Sequence, residues 1–197
     1  VDGLRPPKAA RLLPKALPIE QAVALAAHEH DEPSPALAAR DHAIAELLYG
    51  CGLRSGERLA LDVAPGAHAR GWADLAGANV HVIGKGRKER CTPLSKSTRS
   101  VLTAWLSEPP KMAGQPVFPN AQGGRLSAHG VHYLLAKHVA TAATTCPSLK
   151  SKRVSPHVLR HTTARDLLQE GVDRSVIALW LGHESIETTD RYVKSAE

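Results

Sequence analysis

Four short segments concentrate the residues capable of reacting. They are Gly52-Leu53-Arg54-Ser55-Gly56-Glu57, Gly84-Lys85-Gly86, His157-Val158-Leu159-Arg160-His161, and Leu181-Gly182-His183, with Tyr192 nine residues further on. Singly, each is what a solvated surface also supplies. Together, Arg54, Arg160, His157, His183, Lys85 and Tyr192 form an anion-handling set with no carboxylate cluster beside it. Phosphoryl transfer requires donors around the non-bridging oxygens of a phosphate in its transition state. Arginine forks suit that work because they are planar, permanently charged and bidentate. A tyrosine is a competent covalent nucleophile, and a lysine can protonate a leaving alkoxide.

Two competing chemistries are weaker. Eleven histidines invite a metal, and His157/His161 and His129/His132 have helical ligand spacing. No His-Glu-x-x-His occurs, however, and Arg160 between the first pair repels a divalent cation. The stretch Gly84-Lys85-Gly86-Arg87-Lys88 lacks the glycine spacing and Ser/Thr of a nucleotide-binding P-loop. The expectation is an enzyme with neither metal nor cofactor.

These residues need elements to hold them. Ile19, Val23 and Ala26 give an amphipathic helical face, and Ile44, Leu47 and Leu48 mark a second helix over 36–49. Gly50-Cys51-Gly52 should stop it, and a short helix over 54–61 should follow. Val80, Val82, Thr92 and Leu94 alternate on either side of GKGRKER (84–90), the pattern of a β-hairpin with a basic turn. Trp72–Leu75 can add a third strand. Helical patterns return over 95–106, 127–144, 156–169, 173–181 and 185–192, with Ser127 and Asp173 as N-caps. The fold class is mixed α+β, mainly α-helical, with a small three-stranded antiparallel sheet. Tyr49 and Tyr133 fall within apolar helical patterns and are expected to pack.

The order and spacing of the four segments resemble the catalytic domain of the tyrosine recombinase (phage integrase) family, over about residues 10–193. Within it the resemblance is to bacterial Xer-type recombinases and mobile-element integrases. GLRSGE, GKGRKER, HVLRH and LGHESIETTDRY carry the match. The resemblance implies a site-specific recombinase or integrase that breaks and rejoins DNA through a 3′-phosphotyrosine, without metal or ATP. It assigns Arg54 and Arg160 to clamping the phosphate and Lys85 to protonating the leaving 5′ oxygen. His157 would assist proton transfer at the nucleophile, His183 would donate to the phosphate, and Tyr192 would attack. Glu57 and His161 would support these groups. Arg87, Lys88, Arg90, Lys150, Lys152 and Arg153 would meet the DNA backbone. The sequence departs from the family pattern at Gly56, where a serine is usual, and at 64–71 (APGAHARG), which reads as an extra loop.

Composition is compatible with this. The chain has 197 residues, 43% hydrophobic and 22% charged, enough for a buried core, and its net charge of +6 permits a polyanionic partner. Three cysteines without metal spacing suit a reducing compartment, so a cytoplasmic location is expected. No apolar run reaches membrane-spanning length. Residues 1–18 read as a basic linker from a missing N-terminal DNA-clamping domain, and 19–197 as the catalytic domain. The expected partner is double-stranded DNA, with a homotetramer on DNA for the full-length protein and a largely monomeric fragment. Two alternatives stay open: relaxation of DNA in the manner of a type IB topoisomerase, and a DNA-binding module without catalysis.

Overall fold

The architecture is built around α2, Pro35–Cys51, in a computed structural model that describes residues 15–27, 34–84, 87–107, 111–183 and Thr189. Leu47 and Cys51 are fully buried, with Ile44 and Leu48 nearly so. Around α2 pack α1 (Ile19–Ala27), α4 (Lys96–Ser107) and α6 (Pro156–Gln169). The short α3 (Ser55–Leu59) follows α2 directly, and α5 (Ala128–Thr145) packs on α1 and α3. A 3-10 helix at Pro147–Ser151 leads to α6, and α7 (Arg174–Leu181) closes the described chain.

The helices expected within the described residues are present, with ends shifted by at most two residues. The capping arguments hold at Ser127 and Asp173, whose side chains accept from the Gly130 and Ser175 backbone N–H groups. The face of α1 does not hold. Ile19 and Val23 stand 53% and 51% exposed, while Gln21, Ala22 and Leu25 face the core. The buried face lies beside the expected one, and a nine-residue helix is too short for periodicity to separate adjacent faces. The pattern at 185–192 lies outside the described residues except for Thr189.

The sheet is an antiparallel meander of β1 (Gly71–Asp74), β2 (Asn79–Ile83) and β3 (Glu89–Pro93). Val80 pairs with Thr92 and Val82 with Arg90. Directly opposed residues share a face, so Arg90 lies on the same side as the fully buried Val80 and Val82. On the other face Trp72 stacks on its partner His81, with ring centroids 4.6 Å apart.

A buried polar cluster ties α2 to α5. Asp41 Oδ1 accepts from Arg40 Nε at 2.8 Å, and His138 Nε2 lies 3.6 Å from Asp41 Oδ2. Burial opposes the charge on Asp41, but His138 and Arg40 hold its carboxyl below the ordinary value. No described helix is long and apolar enough to cross a membrane.

Candidate active site

The site begins where α2 ends. Gly52 sits in the left-handed region at φ 58°, and a Cβ there would stand 2.7 Å from Leu181 Cδ2. Glycine is therefore required both for the turn and for the approach of α7. The chain re-enters a helix at once, with Arg54 as the residue before α3. Glu57 reaches back to accept the Arg54 backbone N–H at 2.8 Å, half of a capping box. Its other oxygen faces Arg54 Nη1 at 3.3 Å. Arg54 Nη2 donates to the Gly182 carbonyl at 2.7 Å. The Arg54 side chain remains 43% exposed, so it is held at its root and presented to solvent.

Arg160 is placed by α6, whose N-cap Ser155 accepts from Val158 N–H and whose first residue is Pro156. The side chain is buried, and its fork donates to the Gly52 carbonyl at 2.6 Å and the Leu181 carbonyl at 2.5 Å. It thus staples the end of α2 to the end of α7. His157, one turn earlier on the same helix, is exposed, and His161 is fully buried.

His183 follows the αL cap of α7 at Gly182 (φ 65°). Its backbone N–H donates to the Ala178 carbonyl at 2.9 Å, and its Nδ1 lies 2.8 Å from Thr189 Oγ1. Burial, then the charges of Arg160, Arg54 and Arg90, bring its pKa down to about 4. The imidazole is therefore neutral near pH 7 and can donate only through an N–H, without a charge of its own.

Arg90 corrects the sequence expectation. Grouped there with the phosphate-contacting residues of the hairpin turn, its side chain is instead only 13% exposed. Its fork donates to Glu57 Oε2 at 2.5 Å, to the Trp180 carbonyl at 2.9 Å and to Thr92 Oγ1 at 3.2 Å. The reason is strand parity, since Arg90 stands two residues before the inward Thr92. The run of charges around Arg90 masks an alternation that places it on the inward face with Thr92. Burial would raise the Glu57 carboxyl, yet Arg90 and Arg54 hold it below the ordinary value.

The other expected residues divide into two groups. Arg87 and Lys88, at the hairpin turn, are exposed, and Arg87 takes φ 58°, rare for a residue with a Cβ. Lys150, Lys152 and Arg153, ahead of α6, are exposed as well. Lys85 and Tyr192 lie outside the described residues. Of the other tyrosines, Tyr49 is half-buried and donates to Asp166 Oδ2 at 2.7 Å, as a packing residue with a satisfied hydroxyl. Tyr133 does not pack, being 67% exposed on α5. Among the described residues, no three His, Cys, Asp or Glu side chains gather as a metal would require.

Arg54, Glu57, Arg90, Arg160 and His183 thus come from four separate regions and interlock through the carbonyls at the end of α7. Three guanidinium groups act on one neutral imidazole. Fixed positive charge and oriented N–H donors are the equipment for stabilising a crowded, anionic phosphorane-like transition state.

Comparison with known proteins places this arrangement. Residues 9–197 match the model of the phage integrase family. The chain is 60% identical over 119 residues to a putative integrase/recombinase, y4rC, of Sinorhizobium fredii, covering 60% of this chain and 36% of that one. It is 37% identical to tyrosine recombinase XerC 1 of Ralstonia nicotianae, over 98% of this chain and 60% of that one. Among solved structures it resembles the XerA recombinase, with a TM-score of 0.73 and 25% identity over 92% of this chain and 60% of that one. The catalytic domain of bacteriophage HP1 integrase shares the fold at a TM-score of 0.60 and 21% identity, over 93% and 89% of the two chains. The chain spans 36% and 60% of the lengths of these two relatives.

Proposed function

The chain belongs to the phage integrase family, and on that premise we propose that it is the strand-breaking and strand-joining part of a site-specific DNA recombinase. The observation that carries this reading is the convergence of Arg54, Arg160 and Arg90 on a neutral His183, beside an Arg54 that reaches solvent.

In the proposed reaction the Tyr192 hydroxyl oxygen attacks a phosphodiester phosphorus. The P–O bond to the 5′ oxygen breaks, and the 3′ phosphate stays on the tyrosine. His157 takes the tyrosine proton, and Lys85 returns one to the leaving 5′ oxygen. Arg54 and Arg160 bear the charge that develops on the non-bridging oxygens, and His183 donates an N–H to one of them. One phosphodiester is exchanged for another, so rejoining by a new 5′ hydroxyl needs no ATP. The arginines supply the positive charge that a bridging metal would otherwise provide.

Arg87, Lys88, Lys150, Lys152 and Arg153 are proposed to hold the duplex backbone. Exchange between two duplexes breaks both strands of each, and each break occupies one tyrosine. The proposal therefore includes a homotetramer on DNA for the full-length protein.

The test is trapping on a pool of nicked duplexes, in which a short 5′ fragment diffuses away after cleavage. The wild-type chain should accumulate a covalent protein–DNA adduct, and Tyr192→Phe should form none while still binding. An adduct of normal yield in Tyr192→Phe would falsify the assignment. Relaxation of supercoils without strand exchange by the full-length protein would move the reading to the topoisomerase alternative.

A further inference from the structure

Beside Arg54 the structure opens a cleft of about 1060 Å³. One wall is formed by Arg54, Glu57 of α3 and Arg87 of the hairpin turn. The opposite wall is the extra loop of residues 64–70, which contributes His68 and Arg70. A smaller cavity of about 290 Å³ touches the same loop and adds Arg125.

The loop is anchored at both ends. Val63 N–H donates to the Gln115 carbonyl at 3.0 Å, and Ile83 N–H to the Arg70 carbonyl at 2.9 Å. Ala69 N–H closes a turn on Gly66 at 3.0 Å. Arg70 is thus fixed by its backbone to the strand that runs into the hairpin, while its side chain and that of His68 are exposed. Among the described residues, no hydrogen bond or ion pair engages either side chain.

The nearby carboxylates do not compete for them. Glu57 is held by Arg54 and Arg90, and Asp62 by Arg125 at 2.6 Å. A cleft whose acids are already neutralised, and whose rim carries Arg54, Arg70 and Arg87, has a net affinity for anions.

We propose that loop 64–70 is a second phosphate-holding wall, in which Arg70 and His68 grip the duplex DNA backbone next to the phosphate held by Arg54. This rests on the DNA-recombining function proposed above and adds binding residues to it. Arg70 binds; it takes no part in the bond exchange. The loop leaves α3 and returns at β1, so it lies beside the reacting phosphate without belonging to the reacting set.

The experiment measures the affinity of the 197-residue chain for duplex DNA across a salt series. Arg70→Gln should weaken binding roughly 3- to 10-fold near 0.15 M salt and flatten the slope of log K against log salt by about one. Adding His68→Ala should weaken binding further. Arg99→Gln, at an exposed arginine outside the cleft, removes the same charge and should leave the slope in place. Adduct formation at subsaturating DNA should fall in Arg70→Gln in step with its affinity. Unchanged affinity and slope in the double variant overturn the loop proposal, and a normal wild-type adduct then leaves the recombinase reading standing. An Arg70 effect on binding without any wild-type adduct supports the loop and overturns the strand-breaking reading instead.

Discussion

The guanidinium of Arg90 meets the carboxylate of Glu57 at 2.5 Å, joining β3 to α3, the helix that follows Arg54. The same guanidinium also holds the Trp180 carbonyl near the end of α7. One side chain therefore sets the distance between the two arms of the site, the Arg54 arm and the His183 arm. Gly182 permits this contact, because a Cβ there would stand 2.4 Å from Arg90 Nε.

Arg90→Lys should separate these roles. A lysine keeps the charge but cannot fork to three acceptors in fixed geometry. Adduct formation at saturating DNA is expected to fall on the order of 10- to 100-fold, as small misplacements of reacting groups do. Affinity for DNA should change by no more than about twofold. Single-turnover rates beside equilibrium binding check this. A rate near wild type would show that Arg90 does not position the site.

His183 predicts a pH dependence of stability. Its folded pKa of about 4 lies below the unfolded value of 6.5, because burial and then Arg160, Arg54 and Arg90 oppose its protonation. Between those values the unfolded chain binds a proton that the native imidazole does not, so stability falls as pH drops from about 6.5 to about 4. Urea midpoints of wild type and His183→Gln should converge across that window and differ by a constant above it. Parallel profiles throughout would contradict the assignment.

Removal of divalent metal should leave cleavage intact. In the proposed reaction the transition-state charge is met by guanidinium groups and an imidazole N–H, so no oxygen is left requiring a cation. Adduct yield on nicked duplexes should be the same in excess EDTA as in magnesium. A strict magnesium requirement for cleavage would show that the arginines do not suffice.

Gly52→Ala should destabilise the fold by about 1–3 kcal/mol or more, measured by denaturant unfolding. The backbone stands at φ 58°, and the new methyl would press on Leu181. Because Arg160 holds the Gly52 carbonyl, the variant should also lose adduct formation beyond what its folded fraction explains. Full activity per folded molecule would separate the turn from the site.

The local chemistry of this protein was written in its chain order. Helix periodicity around Ile44, Leu47 and Leu48, the alternation Val80–Val82, and the caps Ser127 and Asp173 depend on neighbours a few residues away, so they can be read without a fold. The four segments that carry Arg54, Lys85, His157, Arg160, His183 and Tyr192 stand out by residue type and spacing alone, and the structure brings Arg54, Arg160 and the end of α7 before His183 together. Packing settled the rest. The exposed side of α1 depends on which helices cover it, and nine residues do not contain that information. Tyr133 sits in an apolar stretch yet is 67% exposed, since among the described residues none covers its side of α5 closely enough to bury it. Arg90 turns inward because β2 pairs with β3 in a register that puts it across from Val82, where Glu57 and the Trp180 carbonyl receive its charge. Loop 64–70 gains its meaning only from standing opposite Arg54 across a cleft. Contacts between residues far apart in sequence set burial and charge pairing, and those contacts exist only once the chain has folded.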